Sequence, residues 1–348
     1  MQGKCGLFFT SYRQESRIFQ SGFQRWCFWL FMAALLAAPH LLDAYYVSVL
    51  VLINIAVIGA VSLNLLTGCC GQISLGHGAF IGVGAYATAW FLEQGAPFVP
   101  SLILGGLTTA VVGLFFGLPS LRLKGIYLAI STLAAQLILV YAFLHWESVT
   151  GGANGKMVES PSIFGFSFDT DTRMFHLTLV CAAIVGLMTA NLMRSKPGRA
   201  FVAIRDHYLS AEIVGVNLFA YKLQAFAVSS FMAGVAGGLW GCYTMFITPE
   251  PFGVGLSISY LAMIIIGGLG SVQGAVFGAV FITLLPEVLQ SLASAASGVF
   301  PDVAMHFLAM KEGVFGLTLV LFLIFEPEGL AHRWRLVKAY WKLYPFAY

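Results

Sequence analysis

Apolar runs long enough to cross a lipid bilayer set the terms for this chain. A helix needs about 20 apolar residues to span a hydrocarbon core of about 30 Å. Stretches on that scale recur at roughly 26–42, 45–66, 74–92, 98–119, 125–145, 174–193, 221–247, 256–270, 273–290 and 309–325. The runs at 74–92, 256–270 and 273–290 are glycine-rich, and the last two nearly touch. The expected architecture is an all-α integral membrane protein with about ten transmembrane helices, some short or broken. Composition agrees: 9% of the 348 residues are charged and 59% hydrophobic, whereas a soluble domain carries about a quarter charged residues. The first run begins near Trp26, after the polar segment Ser11–Arg25, and no small-residue cleavage pattern follows it. It reads as a retained span, not a signal peptide.

Basic residues test the count, because loops on the cytoplasmic side are enriched in Lys and Arg. With the N-terminus cytoplasmic and each run crossing once, Lys4, Arg13, Arg17, Arg25, Arg122, Lys124, Arg194, Lys196, Arg199, Arg205, Lys222, Arg333, Arg335, Lys338 and Lys342 fall inside. Lys156, Arg173 and Lys311 fall outside, so the 18 basic residues divide 15 to 3. Both termini are then cytoplasmic. Residues 1–25 form an amphipathic N-terminal arm, 26–325 the transmembrane domain and 326–348 a basic-aromatic tail suited to the headgroup layer. The exposed outer segments are 146–173 and 291–308; the cytoplasm receives a loop at 194–220. Each acid maps to a loop or the end of a span, which disfavours an ion-coupled transporter needing a membrane-embedded charge.

That interior loop, RSKPGRAFVAIRDHYLSAEIVGVN from Arg194 to Asn217, concentrates charge in a chain that has little. Asp206 is positioned to cap a short helix, its carboxylate accepting free amides of the first turn. Gly215 is positioned to end it in the left-handed conformation. At 100° per residue, Ile204, Tyr208, Ala211 and Gly215 share one side; Leu209, Ile213 and Val216 lie nearly opposite. Arg205 with Glu212, and Asp206 with Ser210, fall between. A helix resting on one body needs a single apolar stripe, so two stripes suggest a helix held between two bodies. The alternative is a basic cytoplasmic loop with some structure of its own.

Other motifs exclude more than they assign. TGGANGKM at 150–157 lacks the spacing and the Ser/Thr of a phosphate-binding loop, so ATP is not expected on this chain. The six cysteines have neither metal-site spacing nor a disulfide pattern. No catalytic cluster is apparent, and the basic-aromatic tail is not a nucleic-acid signal. Asn64–Tyr86 is different: six glycines and the polar residues Asn64, Gln72, Ser74 and His77 interrupt an apolar segment. Irregular backbone is tolerated at membrane depth only where protein or water covers it. The stretch is therefore either a broken element lining a translocation path or a site of tight helix packing with satisfied polar groups. A related glycine pattern recurs at 267–279, with Gly-Ala, two residues, then Gly at both 78–82 and 274–278. Glu250, between two prolines at the outer end of a span, is expected in extended backbone and is a further candidate for the path.

Taken in order, SLGHGAF (74–80), LRLKGIYLAISTLA (121–134), TGGANG (150–155), KPGRAFVAIRDHYLSAEIVGVN (196–217), YKLQAFAVSSFMAGVAGGL (221–239), IIGGLGSVQGAVFGA (265–279) and FEPEGL (325–330) resemble the permease subunits of branched-chain amino acid ABC importers. The resemblance implies a bacterial inner-membrane protein paired with a second, homologous permease. It implies two ATPase subunits below, which hold ATP and Mg, and a periplasmic binding protein above. It also implies that 206–215 is the coupling helix, placing Arg205, Asp206, Leu209, Ala211, Glu212, Ile213 and Gly215 in contact with the coupling machinery. The importers' Glu-Ala-Ala, three residues, Gly motif is only loosely kept here as Ser-Ala-Glu-Ile-Val-Gly at 210–215. The expected cargo is a branched-chain or other hydrophobic amino acid; the same family also serves urea and short amides.

Overall fold

The computed structural model describes residues 22–120, 123, 125–163, 165–297, 313, 316–322, 324–326 and 328–343. The N-terminal arm up to residue 21, Arg122, Lys124, most of the outer segment 291–308 and the tail beyond Leu343 lie outside these residues, as does part of the run at 309–325.

The helices are α1 (Gly22–Leu41), α2 (Ala44–Leu63), α3 (His77–Glu93), α4 (Phe98–Ser120), α5 (Ile126–His145), α6 (Asp171–Arg194), α7 (Lys196–Ile213), α8 (Leu218–Thr244), α9 (Val254–Gly267), α10 (Val272–Ser297) and α11 (Leu330–Leu343). Among the described residues six segments are long and apolar enough to cross a bilayer: Ala44–Cys69, Phe98–Pro119, Ile126–His145, Asp171–Arg194, Leu218–Thr244 and Val272–Ser291. Some of the ten runs were expected to give short or broken helices, and the structure shows which do. The run at 26–42 gives a shorter apolar helix, Arg25–Leu41. The runs at 74–92 and 256–270 give α3, of 17 residues, and α9, of 14. At 1.5 Å per residue α9 extends only about 21 Å. Both are cut short by glycine turns. Gly71 opens the link between α2 and α3 at φ +72°, while Gly268 and Gly270 turn the chain between α9 and α10 at φ +115° and +77°.

Two helices occupy the centre. The α2 segment is 89% buried and the α8 segment 78%, against 28–39% for the four other long spans. Apolar surface on those outer helices is left for lipid or other subunits. Close approach at the centre depends on missing side chains. A Cβ on Gly84 of α3 would sit 2.2 Å from Gly234 Cα of α8, and one on Gly278 of α10 would sit 1.7 Å from the Met263 carbonyl of α9. With lipid as apolar as the side chains, such backbone-to-backbone packing is a main source of helix association.

The loop after α5 folds against one end of the bundle. Its strand β1 (Lys156–Met157) pairs antiparallel with β4 (Phe246–Ile247), which follows α8, and β2 (Ser162–Ile163) pairs with β3 (Phe166–Ser167). These two-residue ladders leave the fold all-α in character. Lys156 Nζ lies 2.6 Å from Glu93 at the end of α3 and donates to the Val149 carbonyl. Glu287 sits near the end of the α10 span, where its carboxylate accepts a hydrogen bond from Tyr45.

Glu250 departs from expectation. It opens a 3-10 turn, Glu250–Phe252, instead of extended backbone. Phe252, 1% exposed, docks its ring 5.1 Å from Trp240 and near Tyr86 and Phe143. Burying that ring outweighs the local restriction imposed by Pro251, and the turn leaves Glu250 exposed.

Candidate functional site: the kinked loop helix and the helix breaks beneath it

Helix α7 begins after Ser195, with a proline in its first turn. Proline suits this position because its missing amide would have no helical partner there. The helix does not run straight through. His207 has φ −157° and ψ 90°, which splits α7 into two helical pieces. Because of that break the cap is His207, not Asp206. Its Nδ1 accepts from the Ser210 amide at 3.3 Å and faces the Ser210 hydroxyl at 3.0 Å. Asp206 instead holds the guanidinium of Arg205, at 2.8–2.9 Å. The far end is as expected. Gly215 is at φ +93°, its amide bonds to Glu212 O, and the next amide, of Val216, bonds to Ala211 O. This pair of bonds is a Schellman termination.

The two stripes separate. Ile204 and Ala211 are buried, and Tyr208 is half-buried against the core. Leu209 is 50%, Ile213 85% and Val214 83% exposed. Val216 was expected on the outward stripe, but the Schellman turn folds it back and it packs half-buried against the core. Val214 takes its place outside. Glu212 and Gly215 are exposed.

Arg205 is exposed between the stripes as expected, yet its guanidinium also reaches the end of a membrane helix. Its Nη1 donates to the Gly68 carbonyl at 3.0 Å. Gly68 belongs to Asn64–Cys69, a π-helical turn that ends α2. From the same turn Asn64, 1% exposed, accepts from the Gly270 amide at 2.9 Å and donates to the Ser271 carbonyl at 2.8 Å. One buried carboxamide thus satisfies the backbone of the second break from within the first. Gly68 has to be glycine, because a Cβ there would sit 2.0 Å from Asn64 Oδ1.

The remaining residues of the first break are also inside. Gln72, Ser74 and His77 are 4%, 0% and 1% exposed. His77 Nε2 lies 2.9 Å from Ser62 Oγ and 3.0 Å from the Gly59 carbonyl. Since the Ser62 hydroxyl already donates to Gly59 O, the network assigns the proton to Nε2. The His77 ring stands edge-on to Tyr260 of α9 at 5.5 Å. Gln72 Oε1 is buried with no hydrogen-bond partner among the described residues. The conformation therefore matches tight packing with mostly satisfied polar groups. Glu250 is not brought to these four residues; it stands on the exposed 3-10 turn.

Three residues at this break were not singled out from the sequence. The amides of Gly78 and Ala79, which lack helical partners at the start of α3, donate to Ser257 Oγ of α9 and Gln136 Oε1 of α5, both at 2.8 Å. Thr132 Oγ1 takes the Leu75 amide at 2.9 Å. The available signal was a buried amide side chain inside an apolar run, since polar groups at membrane depth need partners.

Comparison with known proteins places this arrangement. Residues 45–323 match the family described as the branched-chain amino acid transport system permease component. This chain belongs to that family. The permease is 30% identical over 330 residues to the high-affinity branched-chain amino acid transport system permease protein LivM of Salmonella typhimurium, covering 86% of this chain and 74% of the relative. It is 31% identical to the protein of that name from Escherichia coli, with the same coverage. It is also 27% identical over 278 residues to the autoinducer 2 import system permease protein LsrC of Escherichia coli, covering 75% and 78%. The permease is a non-catalytic membrane subunit of an ABC transporter, homologous to multi-pass permeases of bacterial membranes.

Proposed function

We infer that this permease forms half of the translocation path of an importer for branched-chain or other hydrophobic amino acids. A second, homologous permease supplies the other half. Two ATPase subunits, which hold ATP and Mg, dock on the exposed stripe Leu209, Ile213 and Val214, and a periplasmic binding protein delivers cargo to the loop at 146–173. The observation that carries this reading is the split of α7 into a buried face and an outward apolar face. Contiguous apolar exposure on a charged loop marks a partner surface.

Sidedness supports it. Gly68, Arg205, Gly270 and Ala331 gather at one end of the bundle, while Glu93, Lys156 and Phe246 gather at the other. The first end carries the loop rich in basic residues and is assigned to the cytoplasm, with both termini, in the inner membrane. ATP-driven closure of the ATPases then moves α7, and the helices switch between outward- and inward-facing arrangements. The 27% identity to an autoinducer 2 permease favours a second reading of the cargo alone. Calorimetry of the cognate binding protein against leucine, urea and autoinducer 2 separates the two.

The docking reading is tested by Leu209→Asp and Ile213→Asp in the co-expressed transporter. Each buries a carboxylate in the proposed interface, so ATPase co-purification falls at least about tenfold while membrane insertion is retained. Wild-type co-purification in both variants removes this stripe as the docking face.

A further inference from the structure

We propose that Arg205 is the positioning residue that carries movement of α7 to both helix breaks, and that it does so from the inner side of the loop, away from the ATPases. The inference rests on the docking reading above.

The geometry converges on one guanidinium. Nη1 bonds to the last turn of α2 through Gly68 O at 3.0 Å. A Cβ on Gly270, in the turn between α9 and α10, would lie 2.7 Å from the same nitrogen. A Cβ on Gly71, which opens the link to α3, would lie 3.2 Å from Arg205 Cα and Cγ. Two glycines, Gly71 and Gly270, thus clear the space in which this side chain meets both breaks. Asp206 fixes the opposite edge of the guanidinium at 2.8–2.9 Å. Asn64 then joins the two breaks to each other through Gly270 and Ser271.

Arg205 also stands close to the break in α7. Arg205 is the second residue before the break at His207. The exposed residues Leu209, Ile213 and Val214 lie just after it. A displacement of the docked piece reaches the rest of α7 through His207, and Arg205, two residues before it, holds a hydrogen bond to the end of a membrane helix. A charge-assisted hydrogen bond is among the stronger polar contacts available. Arginine also presents a rigid fork that holds two partners in one plane, which lysine lacks.

The test uses the whole transporter in proteoliposomes with its binding protein, with radiolabelled leucine as probe and ATP hydrolysed per leucine imported as readout. Arg205→Ala is expected to leave ATPase co-purification and basal hydrolysis at wild-type level while the ratio of ATP to leucine rises about tenfold, the factor set by losing one charge-assisted hydrogen bond. Arg205→Lys, which keeps a donor without the fork, is expected to rise about two- to threefold. It carries the test if the alanine variant does not fold and insert into the membrane. A wild-type ratio in the variants that insert overturns the proposal. Loss of ATPase co-purification in an inserted Arg205→Ala or Arg205→Lys permease also overturns it, because Arg205 would then belong to the docking face. Retained co-purification in Leu209→Asp defeats the docking reading instead, so the two failures are distinguishable.

Discussion

Replacing Asn64 by leucine isolates the latch between the two helix breaks. The two side chains have similar volume, so the cavity contribution is small. What is lost is polar. Oδ1 no longer accepts from the Gly270 amide at 2.9 Å, and Nδ2 no longer donates to the Ser271 carbonyl at 2.8 Å. A buried backbone group left without a partner costs about 1–3 kcal/mol, so the two together cost about 2–6 kcal/mol. An ordinary interhelical side-chain hydrogen bond in a membrane protein averages only ~0.6 kcal/mol, which makes the effects separable. Asn54→Leu, which removes a single 3.3 Å bond to Thr178, supplies that comparison. The assay is reversible unfolding of the purified permease in mixed detergent and dodecyl sulfate. Gly68→Ala adds a second arm, because its Cβ would displace the same carboxamide. A loss for Asn64→Leu no larger than that for Asn54→Leu would refute the latch.

Two further outcomes follow from packing and charge. Gly278→Val should abolish the α9–α10 crossing, since its Cβ would lie 1.7 Å from a backbone carbonyl; protease nicking between the two helices should rise sharply, whereas Gly186→Val, with open space around it, should change little. At the opposite end, hydrogen bonds from Ser160 and Ser167, with Arg173 adding charge, hold the Asp169 carboxyl below the usual carboxylate range. A depressed folded value means that protonation favours the unfolded loop. The contribution is therefore complete above the ordinary carboxylate pKa of ~3.9 and is lost as pH falls through the lower folded value. Limited proteolysis of 158–171 should accelerate over that acid window in the wild type and lose this pH dependence in Asp169→Asn.

Much of the architecture was legible in the chain itself. Apolar run length requires helices in a membrane, and the concentration of charge singles out the loop at 194–217. These signals are local: a run must match the thickness of a bilayer, and a charge must find water or headgroups. The end of α7 was readable for the same reason, because Gly215 can take a positive φ whatever surrounds it. Its start was not. Asp206 and His207 are both able to accept an amide, and the choice between them followed from where the buried residues Ile204 and Ala211 could dock. That docking also let the Arg205 guanidinium reach the end of a membrane helix and left Asp206 to pair with it.

The helix breaks divide in the same way. Glycines at 68, 71, 268 and 270 announce irregular backbone, but nothing in the order of residues says that Asn64 closes the turn at 270–271 or that Gln136 and Ser257 cap α3. These partners stand between 57 and 207 positions apart along the chain. Sequence alone determined that polar groups buried at membrane depth call for protein partners, since lipid offers none. Only the packing of α2, α3, α5, α9 and α10 decided which groups satisfy them, because a hydrogen bond depends on distance and direction in space.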